Sequence, residues 1–301
     1  MFVGHAALAF ALVGLGARRL GATRERAMAL GIVAAAAATL PDVDILYALP
    51  TLVSGIGASP IPVETFWDSA SAHRSLTHSL LVAVPVAAAI GLISEQGRAR
   101  LAGLGLAAGL GTALLSLPAG RPAVVLPFVL GAVLLGAAAG RLSRSGPAVG
   151  LAAGIALFSH PFGDLVTGDP PWFFYPAGFE VVSGRVTLAP DPTLHLLGAF
   201  FLELGAVWLG LAAVAHLRNE ALPGRIKPRA ALGAVFAAAG FLIPAPTLAE
   251  SYQFVFGVLA MGLVGLDRHD RFAPLSWTAT AMAAVTLAGA AYAVVYLVAG
   301  L

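Results

Sequence analysis

Long apolar stretches alternate along the chain with short clusters of Arg, Pro and Gly. Apolar runs of about 15 to 25 residues are the pattern of bilayer-spanning helices. The pattern predicts ten such spans, at residues 3–17, 27–49, 78–94, 100–118, 122–141, 147–167, 195–217, 229–246, 250–267 and 274–300. The first is short for a bilayer and the second is interrupted near Pro41, so both are expected to tilt or to be shielded by neighbours. The fold class that follows is all-α, a polytopic transmembrane helix bundle. Its bias toward Ala, Gly, Leu and Val suits close helix packing in lipid, where small residues let backbones approach.

Composition sharpens this reading. Of 301 residues, 59% are hydrophobic and 11% charged, whereas a soluble domain carries roughly 25% charged residues. A soluble globular fold is excluded, and the lipid bilayer is the first partner. The basic residues are scattered through short loops rather than gathered on one face, which argues against nucleic acid as a partner. There is no cysteine, so any metal has to be held by imidazole and carboxylate. The N-terminus has no basic region before its first apolar stretch, and His5 interrupts that stretch, which argues against a cleaved signal peptide.

Charge asymmetry then orients the bundle. The chain has 17 Lys and Arg residues. Assigned to alternate loops, Arg18, Arg19, Arg24, Arg26, Arg98, Arg100, Arg141, Arg144, Arg218, Arg225, Lys227, Arg229, Arg268 and Arg271 fall on one side, and Arg74, Arg121 and Arg185 on the other. The positive-inside rule makes the first side cytoplasmic and, with ten spans, puts both termini outside the cytoplasm. The location expected is the cell (plasma or inner) membrane, multi-pass.

Under that topology the unusual polar residues collect on the non-cytoplasmic side: His5 in span one, Asp42 and Asp44 at the end of span two, His73 and His78 entering span three, His160 and Asp164 ending span six. Ionisable side chains at membrane depth are costly and point to function, here with one another as partners. His160 and Asp164 are four residues apart, so on a helix they share a face and can ligate one ion, or simply hydrogen-bond. His73 and His78 lie about 140° apart on an ideal helix and can serve one site only if the helix begins between them, with Ser75 as N-cap. Asp42 and Asp44 do not share a helical face. One, preferably Asp42, is a ligand and the other caps, orients or meets a second ion. Arg74 offers a guanidinium fork suited to an anionic group such as phosphate.

His216 and His269 sit in the basic loops and need no role beyond solvation. His195 opens span seven on the site side, where a helix-start histidine reads first as structural, with a ligand or a partner of a ligand as the alternative. The loop 169–191, with Trp172, Phe173, Phe174 and Tyr175, reads as an interfacial aromatic belt, and an acyl chain is an alternative occupant.

Gly4-His5, Leu40-Pro-Asp-Val-Asp44, His73-Arg-Ser-Leu-Thr-His-Ser-Leu-Leu81 and His160-Pro-Phe-Gly-Asp164 followed by Thr167 resemble, in that order, the motif set of the YdjM family of bacterial and archaeal membrane-bound metal-dependent hydrolases. The resemblance spans about residues 4 to 176 and implies a hydrolase with His5, Asp42, His73, His78, His160 and Asp164 as its metal residues. The expected organisation is a membrane-embedded metal-site region at 1–195, and additional transmembrane helices at 196–301 that act as scaffold or substrate path.

Six candidate ligands exceed the three protein ligands plus water of a catalytic zinc site, so either two ions bind, which is the preferred reading, or some residues orient others. Imidazole with carboxylate favours zinc, with manganese or iron as alternatives. Metal would activate water against a phosphoester of an amphiphilic, lipid-like substrate, with Arg74 and Asp44 assisting the chemistry. The rival readings are a metal-ion or proton-coupled transporter, whose polar residues would continue toward the cytoplasmic side, and a membrane assembly protein with a structural metal.

Overall fold

The computed structural model describes residues 2–50, 53, 74–142, 145–266 and 274–300, and its regular structure is all helical, with no strand among them. His73, Arg144, Arg268, His269 and Arg271 lie outside the described residues.

Helix α1 (Phe2–Arg19) and α2 (Arg24–Ala38) form an antiparallel hairpin. Thr23 caps α2 by accepting the Arg26 N–H, as a β-hydroxyl does at a helix start. Phe10 of α1 rests on Gly31 of α2, where a side chain would collide with the ring. After Leu40 the chain tightens into a 3-10 helix over Pro41–Ala48. Then follow α3 (Leu80–Ser94), α4 (Gly97–Leu115), α5 (Pro122–Leu142), α6 (Gly146–Gly163) and α7 (Pro192–Arg218). The remainder is a 3-10 run over Pro228–Ala238, α8 (Ala239–Leu242), α9 (Tyr252–Ala260), a 3-10 turn over Met261–Gly265, and α10 (Pro274–Ala299).

Among the described residues, five helical stretches are long and apolar enough to cross a membrane: Arg24–Ala48, Pro122–Leu142, Gly146–Val166, Pro192–Arg218 and Pro274–Ala299. Leu80–Ser94, Pro228–Leu242 and Tyr252–Gly265 are apolar but shorter. The other predicted spans are shorter or carry charge for local reasons, as α4 does with Arg98 and Arg100 in its first turn. Arg18 and Arg19 terminate α1, the run through His78 winds as 3-10 before α3 begins, and Pro228 and Met261 open further 3-10 turns.

The main core joins α1, α2, α3, α5 and α6 through Val33, Leu76, Val86, Ile90, Val124, Phe128 and Leu157, all almost fully buried. In lipid such a core is held by packing and backbone approach more than by expulsion of water. Gly91 of α3 faces Gly150 and the Gly146 carbonyl of α6, a contact with no room for a Cβ. That close approach fixes α3 against α6. A second core of Leu197, Phe254, Val258, Val285 and Tyr292 lies among α7, α9 and α10. Helix α7 also packs on α1, where Gly210 meets Ala7 and the Gly4 N–H donates to Glu203 Oε1 at 3.3 Å.

Candidate metal centre

Four chain segments end at one place. The start of α1 brings His5, the 3-10 helix after α2 brings Asp42 and Asp44, the turn before α3 brings His78, and the end of α6 brings His160 and Asp164. His5, Asp44, His78, His160 and Asp164 are each at most 3% exposed.

Asp42, His78, His160 and Asp164 form a buried group whose donor atoms all lie within 4.8 Å of one another, an arrangement that can hold a metal ion. His78 Nε2 and His160 Nε2 are 3.1 Å apart. Asp42 Oδ1 is 3.7 Å from His78 Nε2 and 3.4 Å from His160 Nε2, and Asp164 Oδ2 is 3.3 and 3.4 Å from the same two atoms. Ligands about 2.0 to 2.1 Å from a tetrahedral ion are separated from one another by about 3.3 Å. The donor spacings are thus those of a coordination shell, and the pairing of imidazole with carboxylate fits a divalent ion.

Supporting hydrogen bonds aim these donors. His160 Nδ1 donates to the Ala38 carbonyl at 2.7 Å, which leaves Nε2 with its lone pair. Thr77 Oγ1 donates to Asp44 Oδ2 at 2.6 Å and lies 3.0 Å from His78 Nδ1. The hydroxyl proton being engaged, its oxygen accepts from His78 Nδ1–H, and Asp44 Oδ2, 3.5 Å from that nitrogen, backs the same side of the ring. A carboxylate behind a ligating imidazole fixes its tautomer and raises its basicity. Asp44 is therefore placed behind His78, while Asp42 is in the donor group. In a 3-10 helix, with three residues per turn, positions two apart point about 120° away from each other, so the two carboxylates divide in this way.

His5 stands beside the group. Its Nε2 lies 3.1 Å from Asp164 Oδ1, and its ring is 3.9 Å from that of His160. Arg74 has left-handed backbone, φ 68°. Its N–H donates to Asp44 Oδ2 at 3.2 Å and its carbonyl accepts from Trp172 N–H at 3.1 Å. Its guanidinium donates to Thr167 Oγ1 at 2.9 Å, to the Asp169 carbonyl at 3.1 Å and to the Asp164 carbonyl at 3.2 Å, and reaches Asp164 Oδ1 at 3.4 Å. Arg74 thus ties the turn after α6 to the turn before α3. The structure does not place its guanidinium as a freestanding fork, because most of its donors face the protein.

Ser79, not Ser75, caps α3: its Oγ accepts the Leu81 and Val82 N–H groups. It also donates to the Tyr175 carbonyl at 2.7 Å, while Leu80 N–H donates to the Phe173 carbonyl at 2.8 Å. The aromatic loop is thereby fastened to the segment that carries His78. Trp172 and Phe162 are exposed beside it, and Phe162 packs on Phe173. His195 is buried in the first turns of α7, its Nδ1 accepting the Leu188 N–H at 3.0 Å, and it is not in the four-residue group.

Three supporting residues escaped sequence reasoning. Thr77 and Thr167 stand within the motifs that carry the resemblance, but their spacing alone assigns them no hydrogen-bonding role. Glu203 carries a signal: a carboxylate between Leu202 and Leu204, inside the most apolar part of α7, is costly unless partnered, and its partner is the N–H of Gly4, next to His5.

No curated protein and no solved structure matches the chain. A family match covers the segment that holds His5, Asp42, Asp44, Arg74 and His78: residues 1–118 match the model of the family described as YdjM inner membrane protein.

Proposed function

We propose that this chain is a multi-pass inner-membrane metal-dependent hydrolase, acting on a phosphoester of an amphiphilic, lipid-like substrate at the non-cytoplasmic surface. The observation that carries the reading is the convergence of His78 Nε2, His160 Nε2, Asp42 and Asp164 at ligand spacing. Such a centre, buried at the end of apolar helices, has a high cost unless it serves a purpose. The side of the membrane rests on the charge asymmetry: Arg18, Arg19 and Arg218 end α1 and α7, and Arg24 begins α2, at the helix ends remote from the cluster.

Asp42, His78, His160 and Asp164 would hold the ion. When bound, a divalent ion there lowers the pKa of water and polarises a phosphoryl oxygen. Asp44 and Thr77 keep His78 Nδ1 protonated, and Ala38 does the same for His160, so both rings keep their Nε2 lone pairs directed inward. Asp42 is the donor with the greatest side-chain exposure, 10% against 0 to 2% for the others. Solvent and substrate therefore approach along the Asp42 side. Arg74 contributes positive charge beside Asp164 and eases the approach of an anionic group. The exposed Trp172 and Phe162 give an apolar tail a surface next to that approach.

Four protein donors also suit a closed, structural ion, and this favours a metal-stabilised assembly protein as the second reading. Detergent-purified protein incubated with phosphorylated lipids separates the two. Metal-dependent phosphate release, absent in His78→Ala and Asp164→Ala variants, supports the hydrolase. Bound metal with no turnover of any phosphorylated lipid supports the structural role.

A further inference from the structure

The end of the bundle opposite the metal centre holds a second concave feature. A crevice of about 360 Å³ opens between the last turns of α1 and α7, lined by Leu15, Arg18, Arg19, Ala212, Ala213 and His216. It lies about 20 Å along α1 from His5, at the other end of that helix.

Its chemistry is layered. Arg18, Arg19 and His216 form the exposed rim, while Leu15 and Ala213 form a more buried apolar wall. One turn deeper toward the bilayer, Leu12 and Leu209 are exposed on the same two helices, 47% and 43%. A polar rim over an apolar track suits a molecule with a charged head and a hydrocarbon tail. The neighbouring carboxylates do not cancel the rim. Glu220 is paired with Arg218 at 3.0 Å and with Arg225 at 3.1 Å, and the exposed Glu25, which feels the charges of Arg24 and then Arg18, offsets part of one rim charge and leaves Arg19. Arg18 donates one N–H to the Ala22 carbonyl, and Arg19 makes no ion pair among the described residues.

We infer that the crevice between the ends of α1 and α7 binds the headgroup of an anionic phospholipid of the leaflet it faces, with an acyl chain lying along Leu12 and Leu209. Basic pockets between transmembrane helices on the cytoplasmic side are suited to such headgroups, because each Lys or Arg adds attraction to anionic lipid. A free phosphate would use the rim but gain nothing from the apolar track.

The test is native mass spectrometry of the full detergent-purified chain with phosphatidylglycerol or phosphatidylcholine of identical chains. The parent should retain phosphatidylglycerol preferentially. The Arg18→Ala/Arg19→Ala double variant should lose about 30-fold of that preference, the equivalent of two surface charges. Arg18→Lys/Arg19→Lys should keep most of it, and metal content should stay at the parent's level in both. Should the alanine double variant fail to fold, Arg19→Gln and His216→Ala carry the test, each with a several-fold loss. Equal retention of the two lipids by the parent, or undiminished preference in the alanine variants, overturns the assignment. So does displacement of phosphatidylglycerol by inorganic phosphate at equal concentration, which would mark a soluble anion as the ligand.

Discussion

His160 Nε2 lies 3.1 Å from His78 Nε2, and each imidazole arrives there with its other nitrogen already hydrogen-bonded through its proton. Two neutral rings held in those tautomers direct lone pairs at each other, which is unfavourable unless an electrophile takes both. Two carboxylate oxygens within 3.7 Å of the same nitrogens add negative charge to the point of convergence. A cation at that point would stabilise the arrangement. A ligand that binds the folded state at a hundred times its dissociation constant stabilises by about 2.7 kcal/mol. Removing metal with a chelator should lower the thermal midpoint of the parent, and adding zinc should restore it. A midpoint indifferent to both would show that the donors are neutralised by protons alone.

Asp44 offers the cleanest separation of supporting from ligating roles. Asp44→Asn keeps the shape but replaces an acceptor-only carboxylate by an amide, so the Thr77 hydroxyl and the Arg74 N–H lose a charged acceptor. Loss of such a partner weakens metal binding about 10- to 100-fold. Competition with a chelator of known affinity should show that loss while the variant remains folded. An affinity equal to the parent's would remove Asp44 from the support of His78.

Arg74→Lys is not conservative here. A lysine cannot reproduce donation to Thr167 and to the carbonyls of Asp164 and Asp169 from one planar group. Leaving part of that set unpaired in a half-buried site should cost about 2 kcal/mol, seen as a lower thermal midpoint. Gly168→Ala should act in the same direction, since a Cβ there would collide with the Arg74 guanidinium. Gly168→Ala at parental stability would show that the turn can move aside.

The acid side of the stability profile should carry a signature of Asp191, which precedes α7. It accepts the Leu194 N–H at 2.8 Å and the Tyr296 hydroxyl at 3.0 Å. The backbone bond first, and the Tyr296 bond with it, hold its carboxyl below the ordinary carboxylate value. A group with a depressed folded pKa contributes stability that is present above the unfolded value, about 3.9, and is lost as pH falls through the folded value. The parent should therefore exceed Asp191→Asn in thermal midpoint at neutral pH, and the gap should close below about pH 4. A gap independent of pH would assign the effect to shape rather than charge.

How far the sequence disclosed this site depends on the distance over which each relationship acts. His160 and Asp164 could be paired from their spacing alone, because four residues on a helix define a shared face. The spacing of Asp42 and Asp44 already separated their roles, with Asp42 preferred as the ligand, and the 3-10 winding after Pro41 brings Asp42 rather than Asp44 into the four-residue group. The helix before that proline gives no hint of the change in pitch. Ser75 looked like the cap of α3 from its position, whereas the chain makes a 3-10 turn through His78 first and leaves Ser79 to cap. The carbonyl of Ala38 and the hydroxyl of Thr77 are chosen by tertiary contact and have no local pattern. The helix lengths show the same limit: apolar runs mark where helices lie, but not where 3-10 turns shorten them.

His5 tests where the donor group ends. It touches Asp164 Oδ1 rather than the Oδ2 that faces His78 and His160, and it stacks on His160. That makes it a neighbour of Asp164 outside the four-residue group. His5→Ala should then bind metal with unchanged stoichiometry but about tenfold more weakly, because Asp164 loses a hydrogen-bonding neighbour. His78→Ala, which removes a donor and leaves three, should fall further and lose stoichiometric metal under the same chelator challenge. His5→Gln, able to donate an N–H toward Asp164, should recover part of the affinity, which simple loss of packing would not. If His5→Ala instead lost the metal as completely as His78→Ala, His5 would be a fifth donor, and the shell would be wider than the four atoms that now converge.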